Sequence, residues 1–138
     1  MTQQDEKDHR REIGQRGEDL AVRYLREKGW TILERNWEAK IGELDIIARK
    51  EKTLGPKTFD LIAFVEVKSR ATSTHIPAEL NVTLKKRRKL IKLAKLYLAK
   101  KDLTDVSARF DIVTVDLSAD PSQLDHYPAA FDAVARFN

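Results

Sequence analysis

The chain has 138 residues, no cysteine and a formal net charge of +4. That length suits one domain with its own core. The lack of cysteine removes disulfides and thiolate metal sites, leaving oxygen ligands or histidine for any metal, and hard oxygen ligands favour Mg²⁺, Mn²⁺ or Ca²⁺ over zinc. The longest uninterrupted apolar run, Leu61–Val65, is far too short to span a membrane, and the polar, mixed-charge N-terminus reads as neither a signal nor a transit peptide. The expectation is a cytoplasmic protein with no membrane partner.

In chain order, residues 1–10 read as a flexible N-terminal arm, and residues 11–138 as a single domain. From Arg11 to Lys28 the apolar residues Ile13, Leu20, Ala21, Tyr24 and Leu25, with Gly17, recur at helical spacing, and Gly29 stops the helix. Trp30–Arg35 predicts a short strand and Glu43–Arg49 a second. Phe59–Arg70 predicts a third, paired with the second across a polar turn containing Gly55 and Pro56. In that third strand Leu61, Ala63, Val65 and Val67 point one way, and Ile62, Phe64, Glu66 and Lys68 the other. Apolar residues on both faces mark a central strand covered on both sides. After a loop at 71–76, a second helix is expected over about Pro77 to Lys101, then a strand over Phe110–Asp116, then an edge strand and a last turn of helix. The order α-β-β-β-α-β predicts an α/β domain: a mixed β-sheet flanked by helices.

Charge is unevenly placed. Residues 85–101 carry nine Lys or Arg and no acid, whereas residues 102–138 carry two basic and seven acidic side chains. A basic stripe of this kind suits a polyanion, nucleic acid first, although a charge run by itself is more often a solvated helix face. Leu84, Leu90, Ile91, Leu93, Ala94, Tyr97 and Leu98 form the helix's apolar stripe, with Lys85, Arg88, Lys89, Lys92 and Lys95 opposite. Lys86 and Arg87 precede apolar residues at helical spacings and should point toward the sheet end, where they could meet a phosphate or simply reach past the rim into water.

Glu66 and Lys68 sit two apart inside Phe64-Val-Glu-Val-Lys-Ser-Arg70, at the end of a half-buried strand face. Burying a charge is costly unless it is paired or binds a metal, and an isolated Glu-x-Lys is more often a structural ion pair. Asp45, in Gly42-Glu-Leu-Asp-Ile-Ile-Ala48, interrupts the apolar run of the paired strand. There Leu44, Ile46 and Ala48 are expected on one face, and Asp45 with Ile47 on the other. A hairpin can bring Asp45 beside Glu66, and two carboxylates on rigid strands repel unless a cation lies between them. Glu18, at the flank of the first helix's stripe, is a weaker candidate that is ordinarily solvated. His9, His75 and His126 receive no role.

Gly14-Gln-Arg-Gly-Glu18-Asp-Leu-Ala21, Gly42-Glu-Leu-Asp45, Phe64-Val-Glu66-Val-Lys68, Val82-Thr83, Lys86, Arg109-Phe-Asp111 and the stretch Pro128–Phe131 together resemble the YraN family of small bacterial proteins. That family resembles the archaeal Holliday-junction resolvases and the restriction-endonuclease-like nucleases of the PD-(D/E)xK type. The resemblance implies a restriction-endonuclease-like core and a Mg²⁺- or Mn²⁺-dependent endonuclease. It assigns the metal to Asp45, Glu66 and the Val67 carbonyl, the water-polarising role to Lys68, and a supporting carboxylate to Glu18. DNA is the implied partner, with Arg70, Lys85, Lys86, Arg87, Arg88 and Lys89 as contacts, and a homodimer is compatible with two symmetric cuts. No base-reading element is evident, so structure-selective cutting of branched, junction or single-stranded DNA is expected. The alternatives are a non-catalytic nucleic-acid-binding module or an interaction protein that keeps the fold.

Overall fold

A computed structural model describes residues 2–71 and 82–131. Two helices and five strands follow in the order α1 (Gln3–Glu27), β1 (Thr31–Ala39), β2 (Gly42–Leu54), β3 (Lys57–Arg70), α2 (Leu84–Lys100), β4 (Val106–Asp116) and β5 (Gln123–Phe131). The strands form one sheet in sequence order. β3 and β4 run parallel, while the other neighbours are antiparallel, so the sheet is mixed, as expected. The parallel pair needs a crossover, and α2 lies within that connection.

The two faces of the sheet explain the two helices. Ile46, Ala48, Leu61, Ala63, Val65, Val113 and Val115 pack under α1 against Ala21, Val22 and Leu25. Leu44, Ile47, Ile62, Phe64, Phe110 and Ile112 pack under α2 against Leu90, Leu93, Ala94 and Tyr97. β3 therefore carries apolar residues on both faces, in the alternation read from its sequence. At roughly 25 cal/mol per Å² of apolar surface, burial on both faces is the main force holding the sheet together.

Several boundaries differ from expectation. The arm predicted for residues 1–10 is instead helical from Gln3, because Thr2 and Asp5 form a reciprocal capping box and Gln4 bonds to Asp8 one turn on. These early turns stay exposed, so local capping rather than core packing sets them. α1 ends as Gly29 predicts: Gly29 has φ 93, its N–H donates to the Arg26 carbonyl, and the Trp30 N–H donates to the Leu25 carbonyl, a left-handed helix stop. α2 starts at Leu84, after its cap Thr83. Leu84, assigned to the buried stripe, is 52% exposed. The loop and helix start expected within 72–81, His75 and the final helical turn expected after residue 131 lie outside the described residues. Among the described residues no helix is long and apolar enough to cross a membrane.

Candidate active site

The β2–β3 hairpin runs in register from Leu54↔Lys57 to Ile46↔Val65 and then parts. Continuation would pair Asp45 with Glu66. Instead, the Val67 N–H donates to Asp45 Oδ2 at 2.9 Å, so a side chain replaces the backbone ladder. The alternation also slips here: Leu44 packs on the α2 side with Ile47, whereas Ile46 and Ala48 pack on the α1 side. The expectation that Leu44, Ile46 and Ala48 share one face is therefore corrected. On the other flank, the β1–β2 register passes from Arg35↔Ile46 to Trp37↔Leu44, and the intervening Asn36 is left-handed, with φ 50. Asn tolerates that conformation better than most residues. Asp45 thus stands where the sheet is locally unzipped.

Glu66 projects from the end of β3, its side chain only 11% exposed, toward two ammonium groups. Lys86 Nζ, from the first turn of α2, lies 2.6 Å from Glu66 Oε1, and Lys68 Nζ lies 3.8 Å from the same oxygen. Burial first, and then the charge of Glu66, push the Asp45 carboxyl up to about 7, against the lowering effect of the Val67 N–H; Glu18 and Glu43 push in the same direction. Burial and the adjacent Lys86 pull Lys68 below the ordinary lysine value. For Lys86, burial acts downward, but its bond to Glu66 outweighs it and raises the net value.

Glu18 is not the solvated flank residue its spacing suggested. It is 8% exposed. Arg35 Nε donates to its Oε1 at 3.1 Å and Asn36 Nδ2 at 2.9 Å, while Arg35 also bridges to Asp19 at 2.7 Å. Close approach of α1 to the sheet makes this possible: a Cβ at Gly17 would collide with Ser69 Oγ. An open cleft of about 580 Å³ beside α1 is lined by Glu18, Asn36, Glu43, Asp45, Val67 and Ser69, and its rim carries Arg10 and Arg70. Spacing did not flag Arg35, Asn36, Glu43 or Arg10. Asn36 could have been found only from its kinked backbone.

The residues fit a divalent cation in kind. Burial first, and then neighbouring carboxylates that include Glu66 and Glu18, raise the proton affinity of Asp45 and of Glu43. Their oxygens, with the Val67 carbonyl, are the hard donors that Mg²⁺ and Mn²⁺ take. Among the described residues no group of three or more His, Asp or Glu side chains is placed so that it could hold a metal ion. One or two carboxylates completed by water and substrate phosphate is nevertheless the ordinary mode for Mg²⁺.

The basic helix divides. Lys85, Arg88, Lys89 and Lys92 are exposed and, with Lys86, line a second groove of about 580 Å³ between α2 and the β1–β2 turn at Ile41. Arg87, expected with them as a contact, donates from Nε to the Val82 carbonyl at 3.0 Å, and its guanidinium lies 5.3 Å from the Phe131 ring centroid. Arg70 pairs with Asp116 at 3.4 Å on the rim of the α1-side cleft.

A further polar network lies under α1. Asp111 is fully buried in β4 and accepts from Arg109 Nε at 2.9 Å, from Arg109 Nη2 at 3.1 Å and from the Ala129 N–H at 3.0 Å. His126 Nε2 lies 2.8 Å from Asp111 Oδ2, and the other ring nitrogen lies 3.1 Å from the Tyr24 hydroxyl. The sequence signal was one acid inside the apolar run Phe110–Val115. The network ties β5 and α1 to the central sheet.

Residues 17–115 match the model of the family described as "Uncharacterised protein family UPF0102". The chain is 40% identical over 124 residues to a UPF0102 protein of Myxococcus xanthus, covering 90% of this chain and 92% of that one. A UPF0102 protein of Geobacter metallireducens is 41% identical over 124 residues, 90% and 95% of the two chains. One of Persephonella marina is 42% identical over 102 residues, 74% and 81%. These matches bear out the family resemblance read from the motifs: the chain belongs to the UPF0102 (YraN-like) family.

Proposed function

We propose that the protein is a Mg²⁺- or Mn²⁺-dependent endonuclease with a restriction-endonuclease-like core, acting on DNA by structure rather than sequence. The observation that carries this reading is the electrostatic coupling of Asp45 to Glu66 and of Lys68 to both carboxylates where β2 and β3 part, with Glu18 fixed in the same cleft as Asp45. A bound divalent cation would neutralise the phosphodiester and lower the pKa of the attacking water. Asp45 and Glu66, with the Val67 carbonyl, would hold it. Lys68 would place an ammonium against charge developing on the phosphate. Arg35 and Asn36 hold Glu18 in place and so shape the acidic floor. Lys85, Lys86, Arg88 and Lys89 would anchor phosphates, contacts that set position and carry no sequence information. Two symmetric cuts in a junction would need a homodimer.

A binder that does not cut is favoured by one observation, the Lys86 ammonium already neutralising Glu66. Titration with Mn²⁺, followed by the electron-spin-resonance signal of the free ion, separates the readings. The nuclease reading expects saturable binding that weakens at least tenfold in Asp45→Ala. Absent or unchanged binding leaves the binder.

A further inference from the structure

Two ammonium groups share one oxygen of Glu66. Lys86 holds it at 2.6 Å, and Lys68 stands at 3.8 Å. Lys86 also borders the basic groove with Lys85 and Lys89, and its side chain is 39% exposed. A flexible four-carbon stem can swing between the two places without backbone movement. Glu66 is nearly closed off from water, so it favours a cationic partner at all times. A divalent cation shared with Asp45 would set two positive charges against the Lys86 ammonium at contact distance, where repulsion is strong.

We propose that Lys86 is a releasable counter-ion of Glu66. It rests on that carboxylate when no other cation is there. It turns to a phosphate in the adjoining groove when a divalent cation takes Glu66, so that metal and nucleic acid bind cooperatively. By linkage the coupling is reciprocal: bound polyanion, by drawing Lys86 away, favours cation binding at Glu66. The inference rests on the endonuclease reading for what the site binds.

The main test needs no metal. Binding of a labelled four-way-junction DNA is followed by fluorescence anisotropy in EDTA for wild type, Glu66→Gln, Lys86→Met and the double variant. Glu66→Gln frees Lys86 and should tighten binding about tenfold, the size of one charge-assisted hydrogen bond. Against a Lys86→Met background, Glu66→Gln should give no gain. A gain that persists in full in the double variant overturns the proposal, because it then reflects only the loss of a negative charge. A second measurement uses wild type alone: the log-log salt dependence of binding should steepen by about 0.9 when Ca²⁺ replaces EDTA, one added phosphate contact. An unchanged slope also overturns it. If wild type binds no DNA in either condition, the endonuclease reading fails and this inference with it. Binding with additive variants and a constant slope removes the coupling alone.

Discussion

Asp45 Oδ2 accepts the Val67 N–H at 2.9 Å, taking the amide that a continued β2–β3 ladder would have used. This bond stands where the β2–β3 ladder ends and fixes the carboxylate between two strands. It also holds a carboxylate where burial and Glu66 oppose its ionisation. Functional sites commonly store such costs.

Removing that cost should stabilise the metal-free protein. Asn at position 45 can still accept from Val67 through its carbonyl oxygen. Thermal melts in EDTA at mildly alkaline pH should show Asp45→Asn more stable than wild type by on the order of 1 kcal/mol. A lower melting temperature for the variant would show that the carboxylate is satisfied as it stands.

Asp111 should behave in the opposite way. Burial pushes its carboxyl up, but bonds from His126, the Ala129 N–H and Arg109 outweigh burial, so it sits below the ordinary value. A carboxyl with a depressed folded value contributes stability above the unfolded value and loses it as pH falls through the folded value. Wild type should therefore lose stability in acid below the ordinary aspartate range, and Asp111→Asn should flatten that fall. At neutral pH the variant should cost about 3 kcal/mol, since Arg109 keeps a half-buried charge with no counter-ion. Equal slopes in acid for the two proteins would remove Asp111 as the cause.

Gly17 is a packing site. A Cβ there would collide with Ser69 Oγ and lie 2.7 Å from Ser69 Cβ. Gly17→Ala should cost about 2 kcal/mol by overpacking, and adding Ser69→Gly should recover most of it. Ser69 Oγ is buried without a partner among the described residues, so Ser69→Ala alone should be neutral or stabilising. Denaturant unfolding measures all three, and an undisturbed Gly17→Ala would contradict the tight seating of α1.

The basic residues should separate by role. Lys85→Ala with Lys89→Ala should weaken DNA binding and flatten its salt dependence by about 0.9 per lost contact, with stability unchanged because both are exposed. Arg87→Ala should do the reverse, since its bonds are to Val82 and Phe131. DNA affinity and unfolding free energy measured on the same samples decide it; weakened binding with intact stability in Arg87→Ala would return Arg87 to the interface.

Most of the sheet was legible in the sequence because its information is periodic. β3 showed two apolar faces, and Gly55 and Pro56 placed the hairpin turn. Glu66 and Lys68 were legible for the same reason, as charges on an apolar strand. Glu18 was misplaced because a helical wheel separates stripe from flank by angle alone, while α1 approaches closely enough at Gly17 to bury a glutamate and supply Arg35 and Asn36 as partners. The face of Leu44 was misread because strict alternation assumes an unbroken ladder, and Asp45 breaks it. The helical start of α1 was missed because capping between Thr2 and Asp5 leaves no apolar stripe to read. Lys86 was aimed correctly at the sheet end, but its pairing with Glu66 joins residues twenty positions apart and shows only in three dimensions.

In the proposed reaction Asp45, Glu66 and Lys68 cut phosphodiesters with a divalent cation. Single-turnover incubation of purified protein with labelled four-way-junction, flap, nicked and single-stranded DNA, in Mn²⁺ or in EDTA, tests it most directly. The expected result is cutting of at least one structured substrate in Mn²⁺, none in EDTA, and a loss of at least about a hundredfold in Asp45→Ala and in Lys68→Ala. No cutting of any substrate, or equal cutting by the variants, would contradict it.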